Sequence, residues 1–469
     1  MIPKLRQINF GIIKFLKLMS KEKRIALVIL LCVCFAQANT VAQTSKRKVN
    51  PVVAKEKNAP QKYVLSKDDD TFLEDLERRA FQFFWEHSDA KTGLTLDRAR
   101  TNGDAPKRGE DHFQVASIAS TGFALTSYCV AAERKWITPE QAKEKTRRTL
   151  DFFANRAFQK NGWFYHWLDQ KSGERRWRSE VSSIDTALLL GGVLSVRQCF
   201  AGDAEIVRLA TKIYERVDFP WMLNSDDDLL SHGWRPETGF IVNRWHDYSE
   251  QAMLYLLGIG SPTRSIRWQS WYAWKREFVE YKNYKYLAAV SPLFIHQFSH
   301  AWVDFRNKRE RYLNFSVDYF ENSVAATYAQ RQFFIDVLSE EFPLYTANIW
   351  GLTASDSTKG YVAWGAPPRH EATDGSVVPC APAGSLMFAP EITLLALKEM
   401  KQRYGDKIYG RYGFTDAFNP HTGWINQDVI GIDVGITLLS AENLRSESVW
   451  RWFMRNAEIK NALTRVKIR

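Results

Sequence analysis

Cysteine is scarce in this chain, with five residues in 469. Cys32 and Cys34 lie in the N-terminal segment, and Cys129, Cys199 and Cys380 are an odd, widely spaced remainder. No disulfide framework is expected, so stability must come from a packed core. Long apolar runs are missing too. The longest, Ile25–Ala36, has twelve uncharged residues, too few to span a bilayer comfortably. No phosphate-cradling glycine loop occurs, because Gly258-Ile-Gly260 is too short to make one. Metal patterns fail as well. His296-Gln-Phe-Ser-His300 has Gln297 where a zinc protease needs glutamate, and Asp226-Asp-Asp228 lacks the alternation and glycine of a calcium loop. Neither a metal nor another cofactor is expected. Strand-like alternation is confined to short pieces around 163–168 and 240–245.

What is present first looks like a polyanion binder. Sixty-four Lys and Arg against 53 Asp and Glu give a formal charge of +11. The excess is local, however: residues 1–38 and 39–67 each carry a surplus of +6, leaving the rest near −1. Nucleic-acid binding needs its basic residues on the folded surface, so that class is set aside. The basic start, the short apolar run and the pair Ala36-x-Ala38 read as a secretory signal cleaved after Ala38. An uncleaved anchor is the rival, and is the only membrane contact expected. Residues 39–67 read as a flexible tether, and export to the periplasm follows.

From about residue 68 the texture is helical. Thr71-Phe-Leu-Glu74 and Thr138-Pro-Glu-Gln141 are helix-start patterns. Further helices are expected near 113–133, 138–158, 181–200, 203–217, 248–258, 263–281, 295–307, 312–339, 390–404, 429–442 and 447–457. Segments such as Ile184–Val193 and Ala252–Leu257 are apolar nearly all round, whereas Ala204–Ile213 keeps a polar stripe. The first kind must be enclosed by the second. Two nested rings of helices, an all-α barrel in one domain over 68–460, satisfy this, and a monomer is expected.

Three of these apolar helices carry an acid near their start: Asp185, Glu250 and Asp433. A lone buried carboxylate is costly, so each is a helix cap, a paired group or a member of a cleft. If the inner helices start at one end of the barrel, the three acids converge and can work as general acid and base. Tryptophans add a second clue. Many lie in loops, among them Trp163, Trp167, Trp177, Trp221, Trp234, Trp245, Trp350, Trp364 and Trp424, where a flat indole can face the C–H side of a sugar ring. Arg98, Arg235, His246, Asn348, His370 and Asp374 are the types that bind sugar hydroxyls, as are Glu180 and Asp185.

Several stretches carry a resemblance. Phe81–Asp89 followed by Gly93-Leu-Thr-Leu-Asp-Arg98, then Ser117–Leu125, Tyr248–Met253 with Gly258–Pro262, Pro292–His300, Asp318–Ser323 and Trp350–Asp356 resemble the bacterial glycoamylase-like domain, in order from about residue 70 to 457. Glycoside hydrolase family 144 is the part of it this chain is similar to. The resemblance implies an (α/α)6 barrel with a few short strands and an exported enzyme hydrolysing β-1,2-glucan or its oligosaccharides, endo or sophorose-releasing, with inversion and without metal. It also implies that Glu250 is the acid and that Asp433 or Asp428 is the second essential carboxylate, roughly 6.5–9.5 Å from the first. Near the C-terminus the family pattern reads Gly-Ile-Asp-Gln-Gly-Pro and then Glu-Asn-Tyr-Arg. Here Val434, Ile436 and Leu444 replace polar, rigid or aromatic residues, which bears on the subsite around Asp433. A glycan-binding protein without catalysis is the rival these substitutions motivate. A polysaccharide lyase would suit the scaffold but would want a basic cleft.

Overall fold

The computed structural model describes residues 63–469 except 227, 289–291, 313–314, 366 and 368–372. The expected leader and most of the tether therefore lie outside the described residues. No helix among the described residues is long and apolar enough to cross a membrane.

Helices alternate along the chain between two kinds. Ile118–Glu133, Ser183–Cys199, Ala252–Gly260, Phe298–Trp302, Cys380–Gly384 and Gly431–Arg445 are buried nearly all round. Lys67–His87, Pro139–Asp151, Ala204–Glu215, Tyr319–Phe333 and Pro390–Tyr404 bury one side only. The first set forms the inner ring and the second wraps it, with the short helix Ser270–Ala273 at the sixth outer position, giving the (α/α)6 barrel. Within the inner ring, 118–133 packs on 183–199 and 431–445, and 183–199 on 252–260. The tightest crossing uses two glycines. A Cβ on Gly192 would fall inside contact distance of the Gly122 carbonyl, and one on Gly122 would strike Leu188.

The inner helices begin at strands. Val115–Ser117, Val181–Ser182 and Asp428–Ile430 lead directly into 118–133, 183–199 and 431–445. They pair in short ribbons: 98–100 with 428–430, 115–117 with 167–169, and 181–182 with 233–235. Ser117 and Ser182 cap the first two of these helices by accepting the Ser120 and Asp185 N–H groups. The ribbons thus fix where these three helices start, and their starts meet at one cavity.

Most expected helices are found, with shifted ends. The helix expected over 138–158 closes as an α-helix at Asp151 and continues as a π-helical turn over Phe152–Arg156. The expectation for 263–281 is corrected: only Ser270–Ala273 is helical, and Phe278–Tyr281 pairs with Tyr284–Leu287. Val279 and the clustered aromatics favour a pleated surface there, and Lys282 turns the hairpin with a positive φ of 54°. The segment 295–307 likewise shrinks to a 3-10 turn, Leu293–His296, and a short helix, Phe298–Trp302.

Replacing Gly192 by Ala is expected to lower unfolding stability by about 1–3 kcal/mol, since the added methyl forces two inner helices apart. Urea denaturation of Gly192→Ala measures this, and a stability equal to wild type would refute the close crossing.

Candidate active site

The open end of the inner ring encloses a cavity of about 910 Å³. Its floor is made by helix starts: Ser117, Ile184 and Asp185, Glu250 just before Ala252–Gly260, Phe298, and Ile432 with Asp433. Loops and ribbons supply Asp97, Arg98, Asp111, His112, His166, Trp167, Trp177, Thr353, Asp356 and Tyr361. Glu250, Asp433, Asp185 and Arg98 are therefore brought together, as the sequence suggested. Helix N-termini favour negative charge, which explains how carboxyls can be held at these positions.

Glu250 is fixed through its backbone, whose carbonyl accepts the Ser299 hydroxyl at 2.5 Å. Its carboxyl accepts a hydrogen bond from Ser249. Burial raises its pKa, the Ser249 bond opposes this, and the charge of Asp185 adds to the rise. Asp433 is raised as well, first by burial. Asp185 accepts the Ser182 hydroxyl at 2.5 Å. His166 lies between two acids, with Nδ1 3.1 Å from Glu180 Oε1 and Nε2 3.3 Å from Asp185 Oδ1. Burial lowers the imidazole's pKa, but Asp185 and Glu180 outweigh it and the net shift is upward. Burial raises Glu180, yet its hydrogen bond and ion pair with His166 bring it down to about 2. The imidazole stacks on Trp167 at 3.4 Å, and Trp177 meets Trp167 edge-on at 5.3 Å. Trp177 and Arg178 both have positive φ, 52° and 51°, so the loop carries strain where it presents an indole 44% exposed.

A guanidinium anchors the opposite wall. Arg98 pairs with Asp97 at 3.1 Å and Asp356 at 2.7 Å, and reaches Asp428 at 3.6 Å. Burial alone would raise the Asp97 pKa, but the His112 and Arg98 contacts lower it to about 2. Asp428 itself points away from the cavity lining, to Arg100 at 2.5 Å. Of the two C-terminal acids, Asp433 alone faces the cavity.

The remaining sequence candidates are placed elsewhere. Glu180 lies one layer back, behind His166, with Arg235 Nη2 3.0 Å away on its far side. Trp245 is not on the lining; it is buried, donates to Ser183 Oγ at 2.9 Å and stacks on His232. His246 is turned to the exterior by the Arg244 carbonyl and Asp247. Trp364 is buried and Trp424 packs half-buried on the core, both outside the lining. Asp374 caps its own turn through the Ser376 N–H. Asn348 is in a turn closed by Thr346. His370 falls outside the described residues. His296 and His300 are buried and neutral, pushed down to about 3 by burial, with Tyr248 and Ser323 beside their rings.

Sequence reasoning missed Asp97, Asp111, His112, His166 and Asp356 as site groups. Each lies in or beside a ribbon strand or its turn, where no helical period marks it. The pairing of 98–100 with 428–430 is what carries Asp97 and Arg98 to Asp433. Val434 and Ile436, the departures from the family pattern, are buried in the helix behind Asp433 and do not line the cavity.

Six carboxyls, one guanidinium and two imidazoles among broad aromatic and aliphatic walls suit a neutral, hydroxyl-rich ligand with one apolar face. Two protonatable acids with raised pKa values give acid–base capacity at one spot.

Residues 243–457 match the glycoamylase family model, described as "Putative glucoamylase". An Exo beta-1,2-glucooligosaccharide sophorohydrolase (non-reducing end) from Parabacteroides distasonis is 22% identical over 436 residues, 85% of this chain and 58% of its own. The chain thus spans under two thirds of that curated relative's length. The endo-beta-1,2-glucanase of Chitinophaga pinensis, solved with sophorotriose and glucose, superposes with a TM-score of 0.79 at 27% identity, over 87% of this chain and 99% of that one. A beta-1,2-glucanase from Parabacteroides distasonis has the same fold, with a TM-score of 0.76 at 20% identity over 86% of this chain and 60% of its own.

The Glu180–His166–Asp185 cluster predicts a pH window. The raised His166 pKa contributes stability that is full below about 6.5 and is lost as pH rises through the folded value. The depressed Glu180 pKa contributes above the ordinary carboxylate range and is lost as pH falls toward about 2. The stability advantage of wild type over Glu180→Gln is therefore expected to peak between those limits and shrink on both sides. Urea titrations across pH, with the His166 ring followed by NMR, check both flanks.

Proposed function

We propose that this chain, which carries a glycoamylase-like domain, is an exported glycoside hydrolase that cleaves β-1,2-glucan or its oligosaccharides with inversion. The observation that carries the reading is the meeting of Glu250 and Asp433, from separate inner helices, in one cavity rimmed by Trp167 and Trp177. The named activities of the relatives support the substrate class.

Glu250 donates the proton to the leaving glycosidic oxygen. Its half-buried carboxyl keeps that proton above the usual glutamate range, and the Ser299 contact to its backbone holds it in place. Asp433 takes the proton of the attacking water, directly or through a sugar hydroxyl. Trp167 and Trp177 offer flat apolar surface to pyranose faces, while Asp97, Asp185 and the His166 imidazole take hydroxyls. Aligning acid, water and acetal carbon is the main work of such a site, because proximity replaces translational entropy. A surplus of carboxyls repels uronate polymers, which argues against a lyase. Val434 and Ile436 sit behind the lining, so they remove no group from the cavity and the binding-only reading loses its motive.

Glu250→Gln is expected to reduce β-1,2-glucan turnover by at least about a hundredfold with melting temperature nearly unchanged, the low end of what general acid catalysis supplies. In wild type, kcat/KM should fall as pH rises through the Glu250 pKa, above 4.5, and NMR of fresh product should show the inverted anomer. Full turnover by the variant would sink the assignment.

For export, the basic leader and Ala36-x-Ala38 support cleavage after Ala38. Protein recovered from the periplasm of its producing cells should begin at Asn39, which N-terminal sequencing reads directly. Retention of Met1 in the membrane fraction would instead identify an anchor.

A further inference from the structure

Behind Asp433 lies a second, smaller hollow of about 20 Å³, walled by Leu76, Ala80, Val429 and Val434 and bordered by Cys380 and Asp416. Asp416 takes no part in the cavity lining. It is 3% exposed and Asp433 is 7% exposed. Asp416 Oδ2 accepts two donors, the Asp356 N–H at 2.8 Å and Asn426 Nδ2 at 2.9 Å. Its other oxygen, Oδ1, has no donor, and neither has Asp433 Oδ2. Yet the two carboxyls lie within hydrogen-bonding reach of each other.

Two buried acceptors cannot satisfy each other unless a proton lies between them. Among the described residues no cation is paired with either carboxyl. Arg98, which meets the neighbouring Asp356, is engaged by Asp97, Asp356 and Asp428. The other titratable groups facing the pair are Asp356 and Asp97, which add negative charge, and the Cys380 thiol and Tyr361 phenol, both neutral. Two ionised carboxylates in this setting would repel with nothing between them, and such pairs retain one proton. The direction of both shifts, upward and first by burial, agrees.

We propose that Asp416 and Asp433 share one proton between Oδ1 and Oδ2, so that Asp416 is the positioning residue that holds Asp433 oriented and ionised toward the cavity. The role assigned to Asp433 rests on the hydrolase reading above; the shared proton does not. During turnover Asp416 donates through its Oδ1–H while Oδ2 keeps its two N–H donors, leaving the outer Asp433 oxygen free to accept a proton from water or sugar.

Two variants and two readouts test this. Asp416→Asn keeps the shape, with its amide donating to Asp433 and its carbonyl accepting from Asp356; Asp416→Ala removes the donor. The infrared difference spectrum of wild type minus Asp416→Asn, near neutral pH, should show the carbonyl stretch of a neutral carboxyl present only in wild type. On β-1,2-glucooligosaccharides, the acid limb of kcat/KM should rise by about one pH unit in Asp416→Ala and stay within about half a unit in Asp416→Asn, because a lone buried carboxylate is harder to ionise than one given a donor. A merely structural role would lower stability without moving that limb. Absence of the neutral-carboxyl band, as when a water bridges two ionised groups, overturns the proposal, and so does an unmoved limb in Asp416→Ala. Should Asp416→Ala fail to fold, the infrared comparison with Asp416→Asn decides. Should wild type leave β-1,2-glucan intact, the hydrolase reading falls, while the infrared arm still tells whether the proton is shared.

Discussion

Burying negative charge is the constraint on which the rest of this structure depends. An isolated carboxylate in a low-dielectric interior is unstable unless something offsets it, and this chain buries acids at both ends of its inner ring. The barrel exists as a single packed unit partly because its helix termini, ribbons and basic side chains are arranged around those acids.

The two ends solve the problem differently. Near the C-terminal ends of the inner helices, Glu77 and Glu442 are fully buried, where the helix dipole offers them nothing. Arginines compensate: Arg445 meets Glu77 at 2.6 Å and Arg134 meets Glu442 at 2.8 Å, tying Lys67–His87, Ile118–Glu133 and Gly431–Arg445 together. At the N-terminal ends, where the cavity opens, Glu250 and Asp433 have no arginine paired with them among the described residues. Helix N-termini, a serine hydroxyl and retained protons do the same work, and they leave the acids able to exchange protons. A fixed ion pair stabilises a fold but cannot give up a proton at neutral pH.

Much of this was legible in the sequence because helix periodicity is a strong local signal. Apolar helices with an acid near the start pointed to Asp185, Glu250 and Asp433, and all three line one cavity. The reading failed where geometry is set by strand pairing over long separations. Asp97 and Arg98 reach Asp433 only because residues 98–100 pair with 428–430, a contact that no window of local sequence contains. The aromatic rule was too coarse for a related reason. An indole in a loop can line a cavity, as Trp167 and Trp177 do, or fill space behind one, as Trp245 does against His232. Only the fold of the loop decides, and at Trp177 that fold needs two successive residues at positive φ.

The departures from the family pattern can be weighed in the same terms. Val434 and Ile436 follow Asp433 on one helix, and successive residues on a helix point about 100° apart, so a change beside a site residue need not enter the site. Both side chains go into the packing behind the cavity, where Ile436 lies against Gly384 and Val434 borders the small hollow shared by Asp416. Apolar residues there keep water from the back of Asp433 and strengthen its dependence on Asp416. On the proposed reading, their effect falls on how tightly the Asp433 proton is held. The rim is separate from them: Trp177 meets His112 and Trp167 edge to edge, and His112 on Asp97 and His166 on Asp185 tie that aromatic edge to the acids of the cavity.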